Sequence, residues 1–294
     1  MLNSNLNKSS LFHNPMQQYY FLFVLALIFT IFAVVVDMKK REVPNWLNFS
    51  LIAFALSYRA FYSLSTKDAN FFITGLIGFA SFFILAHVFY YSKIFAGGDA
   101  KLLMGFGIIL PYSTLSELFF SGILFIFLLF LLGALYGLFY SIYIVIKNKN
   151  KFKKEFKKKL SKNKSLIILF VLLALLSLFP LNFSLWPPIP IFLVIIPFLY
   201  IYIKSLDICM IKLLPPEALQ EGDWLEKDIK LKNKIIKKSV HGLSLQKIAL
   251  LKKYKKKALI KEGIPFTPAF LLSLLTMGFF FLISKLSFEA FFPF

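Results

Sequence analysis

Apolar runs about as long as a bilayer is thick recur along this chain, and the segments between them collect lysine. Clear runs lie at 19–36, 47–64, 70–91, 118–146, 166–182, 187–203 and 266–284. About 20 apolar residues in a helix cross the hydrocarbon core of a membrane, and the helix satisfies its own backbone there. With 59% hydrophobic residues and 38 phenylalanines in 294 positions, too little polar surface remains to keep a soluble domain in water. The pattern predicts an all-α polytopic membrane protein.

Lysine placement sets the orientation of the runs. Net charge is +20, unevenly spread. Lys39, Lys40 and Arg41 follow the first run, and Lys93 and Lys101 flank the end of the third. Ten lysines against one glutamate fill 147–165, and fifteen against seven acids fill 204–265. The loop 65–69 carries only Lys67 and Asp68, and 182–187 carries no charge. Lysine and arginine collect on the cytoplasmic side. The four basic segments then share that side, and an even number of crossings separates 92–99 from 147–165. Residues 100–111 must cross as well, as a short or tilted helix ending near Pro111. The expected total is about eight transmembrane helices in the cell membrane, with the N-terminus outside. The first run leads into further spans with no small-residue cleavage site after it, so it reads as a membrane helix and not as a removed signal peptide.

This reading divides the chain into a transmembrane core at 1–146, a lysine-rich cytoplasmic linker at 147–165 and a transmembrane hairpin at 166–206. A small basic cytoplasmic α/β insertion follows at 207–262, then a terminal span at 263–294. In the insertion, IIKKSV suits a strand, and SLQKIALLKKYKKKALIKEG suits a helix capped by Ser244 and ending at Gly263. The basic surfaces beside the membrane point to anionic membrane lipids as partners, with no nucleic-acid partner. One cysteine, Cys209, excludes an internal disulfide, and no CxxC pair is present to hold zinc.

Two aspartates stand at the edges of apolar runs. Asp37 closes the first, in AVVVDMKKREVPNW, and Asp99 opens the fourth, in KIFAGGDAKLLMGFGIILP. An ionised carboxylate beside hydrocarbon costs a few kcal/mol, so such residues usually face a bundle interior or a wet site. The charge parity puts both at the cytoplasmic edge. Two carboxylates at one depth can share a proton, one acting as base toward water and the other as acid toward a carbonyl. The bland alternative is that Asp99 caps a helix and Asp37 pairs with Lys40 or Arg41. Gly97 and Gly98 allow close backbone approach beside Asp99. Pro44, after an extended Val43, can start the second helix, and Asn45 and Trp46 suit a membrane interface.

These residues carry a resemblance. The chain resembles the type IV prepilin peptidases, in particular the archaeal preflagellin and prepilin peptidases, which are GxGD membrane aspartic proteases. Asp37 with Lys39, Arg41, Pro44 and Asn45 is similar to the family's first aspartate segment. Asp99 in AGGDAK, with Lys101 and Pro111, is similar to its second. EGIPFTPAF at 262–270 is similar to a late Ile-Pro-Phe-x-Pro signature. Ala96 stands where the family has the first glycine of GxGD. The resemblance implies an aspartic endopeptidase with Asp37 and Asp99 as the catalytic pair, and Gly97, Gly98, Lys39, Arg41, Pro44, Asn45 and Lys101 around it. It implies no cofactor and no metal. It further implies removal of a short basic leader from archaellin or pilin precursors at the cytoplasmic face. N-methylation is not implied, because the cysteine-rich domain and a glycine-rich methyl-donor motif are absent from the sequence.

Other residues invite other readings. Glu217, Glu221 and Asp223, with Glu226 and Asp228, form an acidic stretch in a basic region and are candidates for contacting the basic leader. His87 reads as a hydrogen-bonded packing residue. Gly75, Gly78, Gly105 and Gly107 read as close helix contacts. A proton- or cation-coupled transporter could use the same aspartates, but it predicts inverted repeats and mid-membrane sites. No repeat stands out, and the aspartates lie at an edge. An assembly scaffold descended from a peptidase has only Ala96 in its favour.

Overall fold

The structure, a computed structural model, describes residues 17–112, 114–177, 188–231, 235–239 and 242–283. The far ends of the expected runs at 166–182 and 187–203, Val240 of IIKKSV, and residues 284–294 of the terminal segment lie outside the described residues.

Two compact units divide the chain, one made of 1–137 with 265–294 and the other of 138–264. The first holds α1 (Gln17–Lys40), α2 (Asn45–Thr66), α3 (Asn70–Tyr91), α4 (Gly97–Ile109), the first part of α5 (Leu115–Lys147) and α10 (Thr267–Ile283). Of these, α1, α3 and α5 are long and apolar enough to cross a membrane. So is α8 (Pro188–Cys209) of the second unit. Helix α10 is apolar but shorter, as is α7 (Lys164–Leu176). Helix α2 is long but diluted by Asn45, Asn48, Arg59 and several hydroxyl residues. The chain is thus a mostly helical membrane protein with a small strand region.

Small residues set the spacing of the first unit. A Cβ added at Gly78 would collide with the Gly107 carbonyl, and one at Gly107 with the Gly78 carbonyl, so α3 and α4 touch backbone to backbone. Phenylalanines fill what remains. Phe106 stacks on Phe125 at 4.7 Å, and Phe95 lies 5.2 Å from Phe266 and 5.1 Å from Phe89. Phe95 thereby ties the loop before α4 to the start of α10.

Helix α4 is short because its far end is closed on purpose-built partners. Leu110 is extended (φ −54°, ψ 144°), as the residue before a proline should be. Arg59 of α2 is fully buried and joins the carbonyls that end α4 to one at the start of α3. Its Nε donates to Ile108 O at 2.7 Å, and its two terminal nitrogens donate to Phe71 O at 2.8 Å and Leu110 O at 3.3 Å. The guanidinium also lies over the Phe71 and Tyr112 rings, at 4.5 and 4.8 Å. A cation at a helix C-terminus is favoured by the carbonyl dipoles. Sequence reading passed over Arg59.

The second unit holds the rest of α5, α6 (Lys149–Lys162), α7, α8, α9 (Leu245–Lys253) and strands β1 (Ile211–Leu214), β2 (Trp224–Leu225), β3 (Ile229–Lys230), β4 (Ile235–Ile236) and β5 (Ala258–Lys261). Strands β1, β5 and β2 form one antiparallel sheet with β5 central, pairing Ile211 with Lys261 and Trp224 with Lys261. Strands β3 and β4 form a separate hairpin. Leu225, Leu243, Leu251, Ala258 and Ile260 are buried beneath them.

One local expectation is corrected here. The segment 244–263 is not a single helix. Ser244 does occupy the N-cap position, without a side-chain cap bond, but α9 stops at Lys253. Lys255 turns the chain with φ 47°, and Ala258–Lys261 enters the sheet with a buried, half-buried alternation. Continued as a helix, Lys252 and Lys256, and Lys253 and Lys257, would be like-charge i,i+4 pairs, while ALIK has the period-two pattern of a strand. The lysine-rich segment 147–165 is largely helical, as α6.

Candidate active site

Four helix ends of the first unit converge on the two aspartates. Asp37 lies in the last turn of α1 and Asp99 in the first turn of α4, 6% and 9% exposed. The two carboxylates interact electrostatically. Asp99 is not the N-cap of its helix. Ala96 is, with the extended dihedrals of that position (φ −70°, ψ 163°), because Gly97 and Gly98 enter the helix themselves. Asp99 is the third helical residue, and its carboxylate accepts a hydrogen bond from the Ala96 N–H. That is the backward half of a capping box.

Asp37 is held from the other side. The Thr267 hydroxyl donates to Asp37 Oδ2 at 2.8 Å, and the Thr267 N–H donates to the same oxygen at 3.4 Å. Thr267 opens α10, so a helix N-terminus faces this carboxylate. Pro268 is tolerated in the first turn, where backbone donors have no intrahelical partner. Thr267 is fully buried. Sequence reading quoted its segment but did not single it out.

Helix α2 braces the α4 side. Asn48, also fully buried, donates from Nδ2 to Gly98 O at 3.1 Å. Its Oδ1 has no partner among the described residues. Lys101 donates to Asn45 Oδ1 at 2.6 Å. Pro44 is the extended N-cap of α2 (φ −62°, ψ 140°), one position before the helix proper. A Cβ added at Gly98 would sit 3.1 Å from the Val43 Cβ, whereas one at Gly97 would meet only Tyr90 Cε2 at 3.7 Å. Gly98 therefore lets the loop after α1 approach α4, whereas a side chain at Gly97 would meet Tyr90 at ordinary contact distance.

The remaining expected neighbours are less central. Arg41 adopts φ 59° and its N–H donates to Asp37 O at 2.8 Å, closing α1 as a left-handed cap. Lys39 is exposed. His87 is half-buried on α3, and its Nδ1 is hydrogen-bonded to Phe83 O at 2.8 Å. A small apolar cavity lined by Tyr19, Phe23, Ile109 and Met277 lies at the opposite ends of α1, α4 and α10 from the aspartates.

In the second unit, Glu217 and Glu221 are exposed. Asp223 instead serves its own turn, with Oδ2 accepting from the Gln220 N–H at 2.8 Å. Burial pushes its carboxyl up from the ordinary range; the Gln220 bond opposes this and Glu262 adds to it.

Comparison with known proteins falls on the segment that carries both aspartates. Residues 24–138 match the type IV leader peptidase family. Over 89 residues the chain is 30% identical to the preflagellin peptidase of Methanocaldococcus jannaschii, covering 30% of this chain and 38% of that protein. It is 29% identical over 89 residues to the preflagellin peptidase of Methanococcus maripaludis, with the same shares of 30% and 38%. It is 27% identical over 103 residues to that of Methanococcus voltae, covering 33% of this chain and 44% of the relative. The match thus spans less than half the length of these curated relatives. No solved structure matches. Thr267 lies beyond the family match, while Asp37, Asn48, Gly98 and Asp99 lie within it. Over residues 24–138, which hold both aspartates, this chain is similar to the type IV leader peptidase family.

Proposed function

We propose that this protein is a membrane aspartic endopeptidase that removes a short basic leader from archaellin or type IV pilin-like precursors. Asp37 and Asp99 are the catalytic pair. One observation carries the reading: two buried, interacting carboxylates lie in a segment that matches a leader peptidase family. The names of the preflagellin peptidase relatives support the substrate class.

The chemistry needs only the pair and a water. Asp37, whose Oδ2 is fixed by Thr267, takes a proton from water. The resulting hydroxide attacks the scissile carbonyl carbon while Asp99 gives its proton to the carbonyl oxygen. Collapse of the tetrahedral adduct returns that proton to Asp99 and passes the proton held by Asp37 to the leaving nitrogen. Both carboxyls then stand as they began. Asn48, Asn45 and Lys101 position the turn that presents Asp99. Gly97, without a side chain and uncrowded, lets the extended substrate backbone come close to Asp99.

In this reading α2, α4, α7 and α10 cross the membrane together with α1, α3, α5 and α8, giving eight spans with the N-terminus outside. At 13 residues, α4 spans only about 20 Å of a core about 30 Å thick, which sets Asp99 in a depression where water and a leader can meet it. The active pair faces the cytoplasm, the side that the lysine-rich segments favour. Cleavage without N-methylation is the reading that a single cysteine and the lack of a glycine-rich methyl-donor motif in this sequence support.

Coexpression with a tagged precursor tests the reading. Mass spectrometry of the product should find the basic leader gone and an unmethylated new N-terminus. An intact precursor beside abundant, folded protein would overturn it.

A further inference from the structure

We propose that a cleft between α6, α7 and α8 binds the phosphate headgroup of an anionic membrane lipid. Lys159, Lys162 and Lys204 surround the phosphate, and the acyl chains lie along the exposed face of α8.

The sequence of α6 sets up the cleft. KNKFKKEFKKKLSK places Phe152, Phe156 and Leu160 four residues apart on one face, between lysines. That face packs on α8, where the Phe152 ring lies 5.5 Å from Tyr202. Asn163, the hinge residue between α6 and α7, donates from Nδ2 to Lys159 O at 2.8 Å. The packing leaves a cavity of about 180 Å³ lined by Lys159, Lys162, Asn163, Tyr200, Ile201 and Lys204. A water occupies about 30 Å³ of liquid, so the space suits a phosphodiester better than a single solvent molecule.

Charge makes the cleft an anion site. Three of the six lining residues are lysines and none is acidic. Lys159 Nζ donates to the Lys204 backbone carbonyl, which draws its ammonium across the cleft. The carboxylate paired with it among the described residues, Glu155 on the preceding turn of α6, stands at 3.8 Å and outside the lining. Like charges around one cavity repel, and a bound phosphate reverses that term.

The apolar surroundings select a lipid over free phosphate. On α8, Ile196, Leu199 and Ile203 are 45–50% exposed and recur at helical spacing beside Tyr200 and Lys204. One stripe of this helix therefore passes from bare aliphatic surface, through a tyrosine, to lysine. That order matches an amphiphile running from acyl chain to headgroup, with tyrosine at its usual interfacial level. Basic pockets between membrane helices recognise lipid headgroups by this chemistry.

Native mass spectrometry of the full-length protein tests the site, with phosphatidylglycerol or phosphatidylcholine added to the detergent. Wild type should retain phosphatidylglycerol preferentially, and the Lys162→Gln/Lys204→Gln variant should lose that preference on the order of 30-fold. Lys162→Arg/Lys204→Arg should keep it, which separates lost charge from misfolding. Lys153→Gln/Lys157→Gln, which removes two α6 lysines outside the cleft, should leave it intact. Millimolar inorganic phosphate should not displace the lipid. Equal retention of the two lipids would overturn the proposal. So would an unchanged Lys162→Gln/Lys204→Gln variant, an equal loss in Lys153→Gln/Lys157→Gln, or displacement by inorganic phosphate.

Discussion

The Thr267 hydroxyl donates to Asp37 Oδ2 at 2.8 Å across 230 positions of sequence. The bond joins the end of α1 to the start of α10, and so brings a residue outside the family match into the candidate site. A hydrogen bond to a charged group contributes about 1.5–3 kcal/mol. Thr267→Val should therefore lower the rate of leader removal by about 10- to 100-fold. Thr267→Ser, which keeps the hydroxyl, should recover most of it. Initial rates with a purified precursor check both, with the loss expected in kcat.

The two glycines beside Asp99 should separate kinetically. A methyl at Gly98 presses on Val43 at 3.1 Å and shifts the loop that follows Asp37. Small displacements of reacting groups are costly, so Gly98→Ala should lower kcat by about 10-fold. A methyl at Gly97 would make only an ordinary contact, with Tyr90 Cε2 at 3.7 Å. Gly97→Ala should raise KM for the precursor and spare kcat, which is the signature of lost uniform binding.

Arg59 ties the far end of α4, through the Ile108 and Leu110 carbonyls, to the start of α3, through the Phe71 carbonyl. Arg59→Met leaves the Ile108 and Leu110 carbonyls without this donor, at about 1–3 kcal/mol for each buried acceptor, while Phe71 O keeps the Thr74 hydroxyl, and should lower the thermal unfolding midpoint clearly. Arg59→Lys should recover only part of the loss, because a point charge cannot serve three carbonyls and two rings at once. Thermal unfolding in detergent reads both effects, and the fall should precede any change in cleavage specificity.

Asp223 gives the second unit a pH dependence. Its folded carboxyl is held above the ordinary range, first by burial. The folded state therefore keeps its proton to higher pH than the unfolded chain does. Stability of this unit should be greatest below the unfolded value and fall as pH rises through the folded one. Asp223→Asn keeps an acceptor for the Gln220 N–H and removes the titration. Hydrogen exchange of residues 211–261 should slow toward acid pH in wild type, beyond the intrinsic chemical trend, and lose that excess in the variant.

How much of this was legible depended on whether the cause was local. The long helices follow from apolar runs, and α3 spans the residues its run predicted. Both aspartates were visible because charge beside hydrocarbon is anomalous in any register. Asn48 and Arg59 were not, since a polar residue on an otherwise apolar helix does not announce its partner. Arg59 needed the end of α4 and the start of α3 brought together before its three acceptors existed. Thr267 sat in a quoted motif, but its role depends on α10 packing against α1. The end of α9 was missed because ALIKEG carries both a helix pattern and a strand pattern, and β1 and β2 decide between them by pairing with it.

Cleavage of a purified precursor by Asp37→Asn, Asp99→Asn and the double variant tests the central claim most directly. Residues that act as one catalytic unit are non-additive. Each single variant should lose leader removal about as completely as the double, with the fold retained by thermal unfolding. Substantial cleavage by either single variant would contradict the account.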